Sequence, residues 1–127
     1  MFIRLLTILL LLFSLPGAFA QSDVEKRVRA LTPNDIPPLI QKAQAGEAAS
    51  QYMLGLAYEL GVGVVKNDAE AVSWYRKAAE QGYIPAQLGL AKMFSSGGPV
   101  TIDEAMRWLR KAAGVTAPQV KPVCELL

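Results

Sequence analysis

Few residues of this 127-residue chain are equipped for chemistry, and their spacing excludes most of it. Gly61-Val62-Gly63-Val64-Val65-Lys66 sets two glycines ahead of a lysine, the order in which a phosphate-binding loop offers amides and an ammonium group. Such a loop needs a Gly-Lys-Ser/Thr ending between a strand and a helix. Here Asn67 follows Lys66 and the flanks read as helices, so the stretch is an inter-helix turn with glycine supplying positive φ. Arg76-Lys77 and Arg110-Lys111 are recurring basic pairs that could face an acidic partner. Glu80 lies four residues after Arg76, and an i, i+4 ion pair on a solvated face accounts for the charges. There is no histidine, which removes Ser-His-Asp and Cys-His catalysis and the commonest metal ligand. Cys124 is the single cysteine, so neither an intramolecular disulfide nor a thiolate zinc site is expected. Ser-x-x-Lys and Gly-x-Ser-x-Gly are both absent. No catalytic residue, cofactor or metal is expected, and the chain is not expected to be an enzyme.

The elements that carry these residues repeat. Glu70-Ala71-Val72-Ser73-Trp74-Tyr75-Arg76-Lys77-Ala78-Ala79 returns as Glu104-Ala105-Met106-Arg107-Trp108-Leu109-Arg110-Lys111-Ala112-Ala113, 34 residues later. Upstream the offset is 36, pairing Gly46 with Gly82, Gln51 with Gln87, Leu54 with Leu90, Tyr58 with Phe94 and Gly61 with Gly97. A block of helix formers recurring at this period signals a stacked helical array. Each unit reads as helix A, a glycine-rich loop, then helix B. Helix A is expected at 47–60 and 85–95, and helix B at 68–81 and 102–113. Thr101 and Glu104 fit a capping box, with Asn67-Asp68-Ala69-Glu70 in the same place one unit earlier. Gly82 and Gly114 follow the B helices, where a left-handed residue ends a helix. Trp74, Tyr75 and Ala78, with Leu54 and Tyr58, read as core, and Gly55 as a point of close backbone approach.

The flanks read differently. Residues 1–20 carry Arg4, an apolar run from Leu5 to Leu15, helix-breaking Pro16-Gly17, and Ala18-Phe19-Ala20 with small residues at the peptidase positions. That pattern predicts a signal peptide cleaved after Ala20, because eleven helical residues rise only about 16 Å. Without them 12 basic and 11 acidic residues remain, no electrostatic footprint for nucleic acid. Residues 21–35 form a linker or short helix, with Val24, Val28 and Leu31 at helical spacing. Residues 36–46 form a flanking helix, capped by Asn34 or Asp35 with Pro37-Pro38 in its first turn. Residues 115–127 form a tail or truncated third repeat, since Ala117-Pro118-Gln119-Val120 resembles Pro85-Ala86-Gln87-Leu88 before Pro122 interrupts.

The run from Ser50 to Tyr58, then Gly61-Val62-Gly63-Val64, Asp68 and Glu70 to Gly82, resembles a Sel-1-like repeat, a relative of tetratricopeptide repeats. Residues 47–82 make the first repeat and 83–114 the second. The second departs from the pattern at Gly89, at Ala91 in place of the helix A glycine, and at Leu109 in place of the tyrosine after tryptophan. The resemblance implies an all-α fold: a short αα-hairpin solenoid with a right-handed superhelix, of two full repeats and partial flanking helices. It implies a non-catalytic, exported adaptor or regulator of the bacterial cell envelope, periplasmic or secreted, binding another protein or peptide. No nucleic acid and no membrane span after signal cleavage enter this reading. Helix A lines the groove in such arrays, and its positions that differ between the repeats are Met53, Leu56, Ala57, Gly89, Lys92 and Met93. These are the candidate partner-binding residues, with inter-helix packing as their competing role. Cysteine-rich relatives described as binding or hydrolysing β-lactams supply a second reading, a cell-wall or β-lactam protein, which the missing cysteine pairs and histidine disfavour. Self-association through apolar ends that include Val123, Leu126 and Leu127 is a third.

Overall fold

A computed structural model describes residues 16–114, with side chains from residue 23. Among these residues the chain is all helical: α1 (Pro16–Arg29), a 3-10 turn (Pro33–Asp35), α2 (Ile36–Gln44), α3 (Ala48–Leu60), α4 (Asp68–Glu80), α5 (Ile84–Ser95) and α6 (Ile102–Ala112). Successive helices from α2 to α6 pack against one another, giving an αα-hairpin solenoid in which α3–α4 and α5–α6 are the two pairs. α1 leaves this order and lies against α3. It also contains Pro16 and Gly17, which the sequence suggests as helix breakers. Proline in a first turn costs no intrahelical hydrogen bond, so it is tolerated as the first described residue of α1. The tail from residue 115, with Cys124, and the apolar run before Pro16 lie outside the described residues.

Capping is simpler than the sequence suggests. The Asn67 Oδ1 accepts from the Glu70 amide at 3.2 Å and the Thr101 Oγ1 from the Glu104 amide at 3.3 Å. The return half of the Thr101 box is absent. The Glu104 carboxylate instead takes Arg76 Nε and Nη2, at 2.6 and 2.8 Å, and Trp108 Nε1 at 3.3 Å. A charge-assisted two-point bond outcompetes a single exposed amide. Arg76 therefore ties α4 to α6 through Glu104, and Glu80 of its own helix adds a weaker attraction. Asp35 stands at the N-cap of α2, but its side chain makes no capping bond there: the carboxylate accepts from the Thr32 amide and hydroxyl, at 2.8 and 2.7 Å, and these bonds hold its pKa below the ordinary carboxylate value.

The core corrects one aromatic assignment. Tyr75, not Trp74, is the fully buried aromatic of α4. Its ring lies beside Gly55 of α3, where an added Cβ would stand 2.6 Å from Tyr75 Cδ1 and Cε1, and beside Gly89 of α5, at 3.5 Å. Gly55 thus accommodates a ring as well as the Ala71 carbonyl, 3.2 Å from the same Cβ position. Trp74 is half-buried against a small second cluster of Leu39, Ala43 and Leu54, with the Lys77 ammonium 4.2 Å from its ring centre. Trp108 is buried in the main cluster with Leu90, Met93 and Val100.

Candidate interaction surface

Tyr52, Leu56 and Glu59 follow one another at i, i+4 and i+7 on α3, so they share one helical face. Leu88, Gly89 and Lys92 make the corresponding strip of α5. The ring of Tyr75 rises from α4 between the two strips, and Glu25 of α1 closes the fourth side. Together they line a cavity of about 430 Å³. Behind its wall the Tyr52 ring centre lies 5.5 Å from that of Tyr75, which also lines the cavity, and 5.5 Å from that of Tyr83, which does not, both at tilted angles.

Glu59 is the polar hub of this cavity. It accepts a short hydrogen bond from the Tyr75 hydroxyl and pairs with Lys92 Nζ at 3.0 Å. Burial, then the bond to Glu59, pushes the Tyr75 phenol far above its ordinary pKa. Tyr75 is therefore held protonated, a donor that fixes the Glu59 carboxylate and not a nucleophile or base. The walls carry two carboxylates, Glu25 and Glu59, against the single ammonium of Lys92. Such a surface can bind by shape, through the exposed Leu88, and by a net negative charge, with Tyr52 and Tyr75 as its buried floor. Among the described residues no group of three or more His, Cys, Asp or Glu side chains gathers as metal ligands would.

The structure divides the six sequence-derived candidates. Leu56, Gly89 and Lys92 line the cavity. Ala57 and Met93 are buried in the main core, and Leu56 is itself only 3% exposed. Met53 is half-buried and packs against both core clusters. A charge at Met93 would therefore act on folding and not on a free surface. Sequence comparison of the repeats passed over Glu25, Tyr52, Glu59 and Leu88. The α3 and α5 members were reachable from helical periodicity around Leu56 and Gly89. Glu25 was not, because its place depends on where α1 docks.

Comparison with known proteins bears on the same units. The Sel1 repeat family matches residues 48–83 and 84–114, more than half of the chain. The chain belongs to the Sel1 repeat family. Its two Sel1 repeats are α3–α4 and α5–α6. A crystal structure of a Sel1 repeat protein from Oxalobacter formigenes superposes with a TM-score of 0.63 at 30% identity, over 72% of this chain and 76% of that one. An uncharacterized protein of Neisseria meningitidis serogroup B is 38% identical over 78 residues, 61% of this chain and 16% of that protein. Chitin synthase regulatory factor 3 of Schizosaccharomyces pombe is 40% identical over 78 residues, 58% of this chain and 8% of that protein. DAP3-binding cell death enhancer 1 of Rattus norvegicus is 42% identical over 59 residues, 45% of this chain and 12% of that protein. The chain thus spans a small part of each of these curated relatives. What it shares with them is the repeat, a helical module associated with protein–protein interaction. Among the described residues no helix is long and apolar enough to cross a membrane.

Proposed function

We propose that this Sel1 repeat chain is an exported, non-catalytic adaptor or regulator of a bacterial cell envelope. It binds a partner protein or peptide segment at the cavity between α1, α3, α4 and α5. The observation that carries the reading is the make-up of that cavity: the exposed Leu88 over a buried tyrosine and leucine floor, beside two carboxylates and one lysine. Tyr52, Leu56 and Tyr75 are buried and form a firm floor, while Leu88 and Lys92 reach solvent and supply apolar contact and charge to a partner. The Tyr75–Glu59–Lys92 chain is already hydrogen-bonded, so the wall is pre-organised for binding. Two relatives point the same way by name, one a regulatory factor and one a DAP3-binding protein. Export rests on the pattern of residues 1–20. Cleavage after Ala20 would retain Val24 and Val28, which pack with the core, Val28 fully buried.

A photo-crosslinking residue at Leu88, which is 38% exposed at the cavity, tests the reading in living cells. A matched residue at Ser73, exposed on α4, serves as the control. The expected result is a discrete adduct from position 88 only, identified by mass spectrometry, on a protein whose mature N-terminus is Gln21. Equal or absent adducts at both positions would remove the cavity from consideration, and a retained Met1 would remove export.

A further inference from the structure

The cavity between α1, α3, α4 and α5 adjoins a strip of exposed apolar surface. Ile84 and Leu88 stand one turn apart on α5 and are 51% and 38% exposed. At i and i+4 they share a face and lie about 6 Å apart along the helix axis. Leu88 also lines the cavity, so the strip leads to it.

The charges of the cavity are unequal. The Glu59 carboxylate is answered twice, by the Tyr75 hydroxyl and by Lys92 Nζ at 3.0 Å. Lys92 is thereby occupied. Glu25 on α1 is half-buried and lines the same cavity. Among the described residues no cation and no hydrogen-bond donor meets its carboxylate. Arg29, one turn further along α1, is exposed and forms no ion pair with it. Glu25 nevertheless acts across the cavity. After burial and the bond to Glu59, its charge adds to what holds the Tyr75 phenol protonated. A half-buried carboxylate without a partner has lost hydration and gained no bond in return. A cation brought to it there is attracted more strongly than on an open surface, because less water screens the pair.

We propose that the partner segment bound at this cavity is basic. An arginine or lysine side chain of that segment enters the cavity and pairs with Glu25, while an apolar side chain beside it packs on Ile84 and Leu88. The inference rests on the partner-binding reading and specifies the chemistry of the partner. An acidic segment would find only Lys92 among the lining residues, and Lys92 is already paired with Glu59. A neutral segment would cover Glu25 and leave its charge unmatched, which costs binding energy.

Selection from a display library of random heptapeptides on the purified protein tests it, followed by titration of the recovered peptides. Backbone amide shifts report where each peptide binds and how tightly. The recovered peptides are expected to carry arginine or lysine beside an apolar residue, and to shift the amides of Glu25, Leu88 and Gly89. Glu25→Gln keeps the side-chain shape and removes the charge. It should weaken binding at least about tenfold, as expected for one hydrogen bond to a charged group. Raising salt from about 50 to 500 mM should weaken binding to the parent protein as well, which tests the charge without any variant. Peptides that shift the same amides without a basic residue, or that bind Glu25→Gln as tightly as the parent, would overturn this inference and leave the partner-binding reading standing. Recovered peptides that leave the cavity amides unmoved, or a selection that recovers none, would overturn both. Argininamide alone binding there as tightly as the peptides would assign the cavity to a free small cation and overturn the peptide assignment.

Discussion

Gly55 and Gly89 touch opposite sides of one ring, and replacing each by alanine should move stability in opposite directions. Both lie inside helices, where alanine is favoured over glycine by about 0.5–1 kcal/mol. At Gly89 the added Cβ would meet the Tyr75 ring at 3.5 Å, an ordinary contact, so the helical gain is retained in full. At Gly55 it would stand 2.6 Å from two ring carbons and 3.2 Å from the Ala71 carbonyl. The ring cannot swing away, since it is fully buried and its hydroxyl is tied to Glu59. Forcing a methyl into such a site costs about 1–3 kcal/mol, which outweighs the propensity term over most of that range. Gly55→Ala should therefore lower stability by roughly 1–2 kcal/mol and Gly89→Ala raise it by about 0.5–1 kcal/mol. Urea unfolding followed by far-UV circular dichroism measures both, provided the m-values match the parent. Shifts of the same sign would falsify the placement of the Tyr75 ring between the two helices.

The other predictions follow from single contacts. Trp108→Ala should cost about 3–5 kcal/mol and Trp74→Ala clearly less, because only Trp108 is buried; equal losses in a denaturation series would contradict the core assignment. The Arg76 guanidinium holds the Glu104 pKa below its ordinary value near 4.5. A group depressed in the folded state adds stability that is fully present above the unfolded value and is lost as pH falls through the folded one. The gap between the parent and Glu104→Gln, about 0.5–1 kcal/mol at pH 7 given the exposure of Arg76, should thus close as pH drops from about 5 towards 3; a pH-independent gap refutes it.

Much of the fold was legible because stacked repeats write their periodicity into the chain. Recurring tryptophan, alanine and glycine placed four helices and their stops, since helix propensity and left-handed turns are local properties. Side-chain partners were less legible. Arg76 has Glu80 within reach along its own helix and takes Glu104, 28 residues away, because a two-point contact at partial burial is the better bond. Trp74 was the more conspicuous residue and Tyr75 the more buried one, because a one-residue step turns a side chain by 100° around the helix. The cavity was half legible: Leu56, Gly89 and Lys92 came from comparing the repeats, while Glu25 came from the docking of α1.

By itself, then, the sequence determined the family, the helical class, the order of the helices and the absence of histidine-based chemistry, all of which depend on residue type and short-range spacing. Only the tertiary structure decided that α1 lies on α3, that Tyr75 is wedged between two glycines with its hydroxyl on Glu59, and that Trp108 and not Trp74 is the buried tryptophan. Those are relations between residues far apart in the chain, set by which surfaces meet, and no local period encodes them.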